Sequence, residues 1–460
     1  MRSVSAPSSL AAVRVSCIGT PPSAANVLPV PVAAAATLNV DTLTTPSARS
    51  PSVISKAAPP PLSILMLTYI SPLQKWGSAK RSRFLVDALK RHGQVEILVL
   101  NFVKAPTGGA PLTVVEWQGA KLMELEIVQR GLMGRPRFDG VSAYATRQVT
   151  QHVDLSRYDL IVSRYVKPAL KLALPPGIPV LVDFDDAVYE PPWKSLRGIK
   201  PWVGVFLRLL NDRLIVRGRL RGPTWGKAHY FFCRDVEREF FPALSGSVLP
   251  NLPPPTDHAG PPNFTPPGAP ALMFVGLLDY MPNHDAVDWF LAAIWPLVLR
   301  EVPDARFLIV GSGAEDRLAR WRAEPQVETL GFVDSLSAAY ARATVVVVPM
   351  RSGAGTNIKA LEPYLYGRMV VATPLVVEGH RPLFTEGVDV LVAPDAAGLA
   401  RHCVDMLRDP QRASRIAMQG HIRITTVLTE ASFREVVDAG LARVMQGQTF
   451  TGRMTSLALH

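Results

Sequence analysis

Nine prolines fall within the 21 residues of 250–270, PNLPPPTDHAGPPNFTPPGAP. Such a run excludes a helix or a central strand and extends as a stiff connector. The chain must therefore fold as separate bodies on either side of it. Before it, PLSILMLTYI, QVEILVL, YDLIVSRY and IPVLVDFDDA read as parallel strands, with HYFFC and SGSVLP as shorter ones. The amphipathic stretch SAKRSRFLVDALKRHG makes the first crossover helix, with Phe84, Leu85, Ala88 and Leu89 on one face. After it the pattern restarts: ALMFVG, ARFLIVG, QVETLGFV, TVVVVP, MVVAT and VDVLVA alternate with helical segments. Alternation of this kind makes a parallel sheet, so the expected fold is α/β with two Rossmann-like, doubly wound domains.

The expected boundaries are a tail over 1–60, a first domain over 61–249, the linker over 250–270, and a second domain over 271–428. A closing helix, EASFREVVDAGLARVMQ, lies within 429–460 and needs a surface to cover. The tail is rich in Ala, Ser, Pro and Val, with Asp41 as its sole acid, and its composition predicts little order. Apolar runs stay under ten residues, too short to span a bilayer. Cys17, Cys233 and Cys403 have no regular spacing, so they form neither a zinc motif nor a disulfide framework. A reducing cytoplasm is the expected compartment, and no metal-ligand pattern is visible among the nine histidines.

The formal charge of +11 points to acidic partners. It concentrates in residues 191–230, where nine Lys or Arg face one acid, Asp212, with Trp193, Trp202, Phe206, Leu207 and Leu210 interleaved. The segment is a candidate contact with an anionic membrane surface, or else a solvated helix over its own domain. Nucleic acid is not expected, because no zinc-finger, RNP or helix-turn-helix pattern accompanies the charge.

The densest chemistry lies in PMRSGAGTNIKALEPYLYG, residues 349–367. It follows a buried strand and reads as a glycine turn entering a helix near Gly355. Glycines let backbone N–H groups approach an anion, and a helix start adds partial positive charge. Arg351 and Lys359 flank that point, so Gly353, Gly355, Thr356 and Lys359 outline a phosphate or diphosphate cradle. Glu362, two turns into the expected helix, shares a polar side with Thr356 and Lys359 and is placed to accept ribose hydroxyls. The same residues also fit a surface helix carrying a Lys359–Glu362 salt bridge.

The stretches MFVGLLDYMPNHDAVDWFLAAIWPLVLREVPDARFLIVG, VETLGFVDSLSAAYARATVVVVPMRSGAGTNIKALEPYLYGRMVVATPLVVEG and VLVAPDAAGLA resemble the donor domain of family 4 (group 1) glycosyltransferases. The likeness is greatest to the branch that builds exopolysaccharides and cell-surface glycans, and it runs from about 271 to 445. LSILMLTYISPLQKWGSAKRSRFLVDALKRHGQVEILVL and VLVDFDDA resemble the first domain more loosely.

The resemblance implies a GT-B architecture, two domains facing across a cleft, with the closing helix crossing back onto the first. It implies sugar transfer from a nucleotide diphosphate donor in the second domain to a glycan or lipid-linked acceptor in the first. Retention of configuration and no metal cofactor are implied as well. The diphosphate would be met by Lys359, Arg351 and the loop amides, the ribose by Glu362, and the base by Gly331, Phe332 and Val333. Gly276, closing the strand ALMFVG, belongs to the donor site.

In the first domain, Gly77 and Arg81 are candidates for the acceptor side or a phosphate, with Arg81 alternatively a surface residue. Asp185, clustered with Asp183 and Asp186 at a strand's carboxyl end, is a candidate base, unless these acids only cap the next helix.

Three departures from the family pattern stand out. Ala354 replaces the first of the two glutamates that the family separates by seven residues. FVGLLDYMPNHD lacks the usual Arg and Lys, leaving Arg351 and Lys359 to replace them. Pro363 follows Glu362 directly and is expected to bend the helix. A silent scaffold and a nucleotide-sugar epimerase are the rival readings, and the expected location is cytoplasmic, peripheral on the inner membrane face.

Overall fold

The computed structural model describes residues 61–446, apart from 75–76, 104, 129–142, 186–188, 191–202, 204–219, 221, 223, 355 and 381–382. The tail, Gly355, Asp186 and most of the basic segment 191–230 lie outside the described residues.

The first domain contributes β1 (Leu62–Thr68), β2 (Gly93–Val103), β3 (Leu112–Trp117), β4 (Ala120–Val128), β5 (Leu160–Arg164), β6 (Val180–Phe184), β7 (Tyr189–Glu190), β8 (His229–Phe232) and β9 (Gly246–Val248). Eight of these form a sheet in the order β3-β4-β2-β1-β5-β6-β8-β9. All its pairings are parallel except β3 with β4. That hairpin was not expected from the sequence. It turns at Gln118 and Gly119, whose φ values of 49° and 66° fit the tight turn that matches strand twist. Helix α1 (Gly77–Leu89) crosses from β1 to β2. Residues of β1, β5 and β6 are buried almost throughout, as a parallel sheet covered on both faces requires.

The second domain holds β10 (Ala271–Val275), β11 (Arg306–Val310), β12 (Val327–Gly331), β13 (Val345–Val348), β15 (Met369–Ala372) and β16 (Leu391–Val392). Their order is β12-β11-β10-β13-β15-β16 and every pairing is parallel. The strand order reverses between β10 and β13, and that crevice is where such sheets take ligands. Helix α2 (Met281–Trp289) follows β10 and continues through a π-helical turn at Phe290–Ile294 into Trp295–Glu301. The wide turn absorbs Pro296 without ending the helix.

The proline-rich linker contains no helix or strand, yet it is fastened to the second domain. His258 bonds the Leu365 carbonyl at 3.0 Å, Arg368 donates to the Asn263 carbonyl at 2.7 Å, and Ser414 donates to the Phe264 carbonyl at 2.6 Å. Gly367 permits this approach: its φ is +70°, and a Cβ there would lie 2.4 Å from the Asn263 oxygen. Asp257 accepts from the Ser335 and Ser337 hydroxyls and the Ser337 amide.

After the short helix α3 (Glu362–Leu365) and the long α4 (Pro410–Val427), the closing helix α5 (Glu430–Met445) starts with a capping box at Thr429 and Ser432. It returns to the first domain. Phe433 packs on Phe84 with ring centroids 6.1 Å apart, Asp438 bonds His92 at 2.6 Å, and Gly440 lies against the Phe231 ring.

Candidate functional site

At the second sheet's reversal point, three glycines close three adjacent strands. Gly276 ends β10, Gly311 follows β11, and Gly331 closes β12. The Gly311 amide donates to the Gly331 carbonyl at 2.8 Å, and the Gly276 amide to the Val310 carbonyl at 3.0 Å. A Cβ on Gly311, whose φ is +135°, would lie 1.8 Å from the Gly276 oxygen, so only glycine fits. Phe332, next to Gly331, is 78% exposed, while Val333 packs partly against the core.

Lys359 enters this place from the other side of the crevice. Its Nζ donates to Asn283 Oδ1 at 2.9 Å, and Asn283 Nδ2 donates to the Leu277 carbonyl at 2.8 Å. Asn283 lies under Gly276, where an added Cβ would approach its amide at 2.9 Å. Burial pushes the Lys359 ammonium down to about 8, against the pull of Glu362.

Glu362 is also largely enclosed. Burial raises its pKa, opposed by Lys80 of α1, by Lys359 and by a hydrogen bond with Tyr340. Among the described residues its buried Oε1 has no hydrogen-bond partner, and neither has the buried Ser352 hydroxyl. Orphaned buried acceptors are uncommon in folded proteins, and an ionised carboxylate needs donors.

The local backbone differs from the expected helix entering near Gly355. Gly353 and Ala354 form β14, paired antiparallel with β7 of the first domain. A single 3-10 turn follows at Ile358–Ala360, and α3 begins at Glu362 itself. Pro363 is the physical reason. It lacks an N–H, so it fits in a helix's first turn and starts α3 instead of bending a longer helix. Glu362 is therefore presented by a helix start, and Lys359 by the turn before it.

Arg351 has partners within its own domain. It is paired with Asp285 at 2.7 Å and lies over the Trp289 ring at 4.9 Å, both on α2. Thr356 faces the first domain, where Asn251 Nδ2 donates to its hydroxyl.

In the first domain, Gly77 opens α1. Arg81 is buried rather than at the surface, bound to Asp183 at 2.7 Å and to Asn251 Oδ1 at 2.9 Å. Arg164, fully buried, bridges Asp183 at 2.9 Å and Asp185 at 2.8 Å. Asp185 also accepts from the Cys233 thiol at 3.0 Å. Burial would raise the Asp185 pKa, but Arg164 and Arg81 hold it down at about 2. A carboxylate so held is a weak base. The structure places Arg81, Asp183 and Asp185 in an internal ion-pair network with Arg164.

Sequence reasoning passed over Asn283, Ser352, Gly311, Arg164 and Asn251. The stretch LIVGSGAE, a G-x-G between a strand and a helix, was a readable signal for Gly311. No local signal marks Asn251 or Asn283, which act over 105 and 76 positions of chain.

Residues 269–409 match the family model described as glycosyl transferases group 1. That stretch is what this chain shares with the group 1 glycosyl transferases. An uncharacterized 44.6 kDa protein in the cps region of Klebsiella pneumoniae is 26% identical over 155 residues, which is 32% of this chain. The match spans 39% of that curated relative.

The fold of the whole is shared with solved structures. Sucrose-phosphate synthase from Thermosynechococcus elongatus superposes with a TM-score of 0.61 at 15% identity, over 84% of this chain and 100% of that one. Anabaena Alr3699/HepE in complex with UDP and glucose gives 0.53 at 15% identity, over 83% and 99%. The transferase domain and its partner domain thus form a GT-B fold. Gly276, Gly311, Gly331, Ser352, Thr356, Lys359 and Glu362 all lie within the matched stretch.

Proposed function

We propose that the protein moves a sugar from a nucleotide diphosphate donor to a glycan or lipid-linked glycan acceptor. One observation carries the reading: Glu362 Oε1 is buried without a donor among the described residues, beside the Lys359 ammonium, at the reversal point of the second sheet. A ribose supplies two hydroxyl donors to such a carboxylate, each worth about 1.5–3 kcal/mol. Lys359 and the amides of the Gly353–Thr356 loop meet the diphosphate and stabilise it as it leaves. Phe332 offers an exposed ring for the base beside the Gly331 backbone.

Neutralisation by these side chains and amides would serve a reaction that proceeds without a metal, and retention at the transferred carbon enters the proposal from the family resemblance alone. Arg351 serves by fixing the loop to α2 through Asp285. Solved relatives carry UDP with glucose in one case and UDP-2-fluoro glucose in another, the latter a protein from E. coli. A uridine nucleotide is accordingly the first donor to try. The homologue from a cps region favours a surface-polysaccharide acceptor. A cytoplasmic location belongs to the same proposal. Among the described residues no helix is long and apolar enough to cross a membrane. Contact with the inner membrane face would come through 191–230.

Incubation with UDP-, GDP- and ADP-sugars, with and without glycan acceptors and with EDTA, tests the reading. Release of one nucleoside diphosphate that requires acceptor and survives EDTA is expected. Nucleotide binding without release under any donor would favour a silent scaffold.

A further inference from the structure

Asn251 stands where the chain leaves the first domain, and it is 8% exposed. Its two amide atoms face opposite ways. Oδ1 accepts from Arg81 Nη1 at 2.9 Å, within the Arg81–Asp183–Arg164–Asp185 network. Nδ2 donates to the Thr356 hydroxyl and lies 3.8 Å from the Cys233 sulfur. Just before Thr356, Gly353 and Ala354 pair with Glu190 and Tyr189 of the first domain in an antiparallel ladder. The loop after β13 is thus tied to the first domain twice, once by a side chain and once by a two-residue ladder.

An isolated two-stranded pairing this short has little stability of its own, because three or more strands are normally needed to sustain a ladder. The loop's glycines add conformational freedom that must be lost on ordering. A buried amide anchored by a guanidinium supplies a fixed point from which the ladder can form. Arg81 is itself immobilised, since its Nε and Nη2 are held by Asp183 and its Nη1 by Asn251.

We infer that Asn251 is a positioning residue for the donor loop: through Thr356 it supports the pairing of Gly353 and Ala354 with the first domain, so that the loop takes its donor-binding shape only when the two domains meet. The inference rests on the donor reading above and adds to it a dependence on the first domain. Donor affinity then reports domain contact, and the ion-pair network built around Arg81 and Asp183 serves as the anchor of that contact rather than as chemistry. Asn251 acts on the reaction through Thr356 and need not touch the donor.

Hydrogen exchange read by mass spectrometry on the full-length protein, in parallel with UDP, GDP and ADP titration, tests this. Thr356→Val keeps the shape of the side chain and removes the acceptor without disturbing Arg81. Thr356→Ser retains the hydroxyl. Asn251→Ala removes the anchor from the other side. The expected result for Thr356→Val and Asn251→Ala is exchange at least about tenfold faster in peptides covering both 189–190 and 353–354, with nucleotide affinity reduced at least fivefold. Thr356→Ser is expected to behave as the wild type in both readouts.

The double variant should lose no more affinity than the worse single one, because each single variant already breaks the Asn251–Thr356 contact. Unchanged exchange in Thr356→Val, or additive losses in the double variant, would overturn the inference even if Asn251→Ala failed to fold. A wild type that binds none of the three nucleotides would overturn the donor reading, while the exchange comparison would still decide whether Asn251 holds the loop.

Discussion

Lys359 and Asn283 share a hydrogen bond of 2.9 Å, and through it the turn after β13 is joined to the helix after β10. The bond spans the reversal point of the sheet and aims an ammonium at the crevice between the two strands. Replacing Asn283 with Leu removes both the Lys359 acceptor and the donor to the Leu277 carbonyl. Two buried hydrogen bonds are lost, and the expected destabilisation is about 2–4 kcal/mol from unsatisfied groups. Urea unfolding reads that loss, and nucleotide titration should show affinity falling at least tenfold.

Lys359 confers a pH dependence of known sign. Burial lowers its pKa to about 8, so it is mostly an ammonium at neutral pH and mostly neutral above pH 8. A bound diphosphate favours the charged form. Above pH 8, binding must therefore take up a proton, and affinity falls by up to about tenfold per pH unit. Calorimetric titration at pH 7, 8 and 9 should show this fall, and Lys359→Met should abolish the slope along with most of the affinity.

Arg351 and Lys359 separate the two readings of the loop's positive charge. The Arg351–Asp285 pair is 30% and 11% exposed on its two sides and keeps Arg351 on α2. Arg351→Gln is expected to change nucleotide affinity less than threefold and stability by no more than about 1 kcal/mol. An affinity loss comparable to that of Lys359→Met would return Arg351 to the diphosphate.

Asp183 answers two buried guanidiniums, those of Arg81 and Arg164. Asp183→Asn leaves positive charge buried and incompletely compensated, so thermal and urea unfolding should show a loss of about 3–5 kcal/mol. A stable, inactive Asp183→Asn protein would instead mark this network as part of the chemistry.

Much of the architecture was legible because it depends on local pattern. Strands such as VVVV at 345–348 and LIVSR at 160–164 declare themselves by β-branched and aliphatic runs bounded by polar turns. The linker was legible through its prolines, though not its fastening, which depends on Arg368 and Ser414 far along the chain. The hairpin of β3 and β4 was missed because its edge strand is largely exposed and its signal is a lone Gln118–Gly119 turn.

In the site, Lys359 and Glu362 were found from their spacing after the glycines, but the helix drawn through them was not. The helix was expected to begin near Gly355, whereas a 3-10 turn at Ile358–Ala360 comes first and the helix starts only at Glu362. Partners remote in sequence decided the remaining assignments. Asp285 claims Arg351, and Asp183 claims Arg81, neither of which spacing alone reveals.

The measurement that tests the central claim most directly is a thermal melt and titration with UDP, GDP, ADP and CMP, on the wild type and on Glu362→Gln. A ligand at 100 times its dissociation constant stabilises the folded state by about 2.7 kcal/mol, a shift that a melt resolves. The account predicts a shift with one nucleoside diphosphate in the wild type and its loss in Glu362→Gln, whose amide cannot replace the carboxylate as a double acceptor. A wild type that no nucleotide stabilises, or a variant that binds as tightly as the wild type, would contradict it.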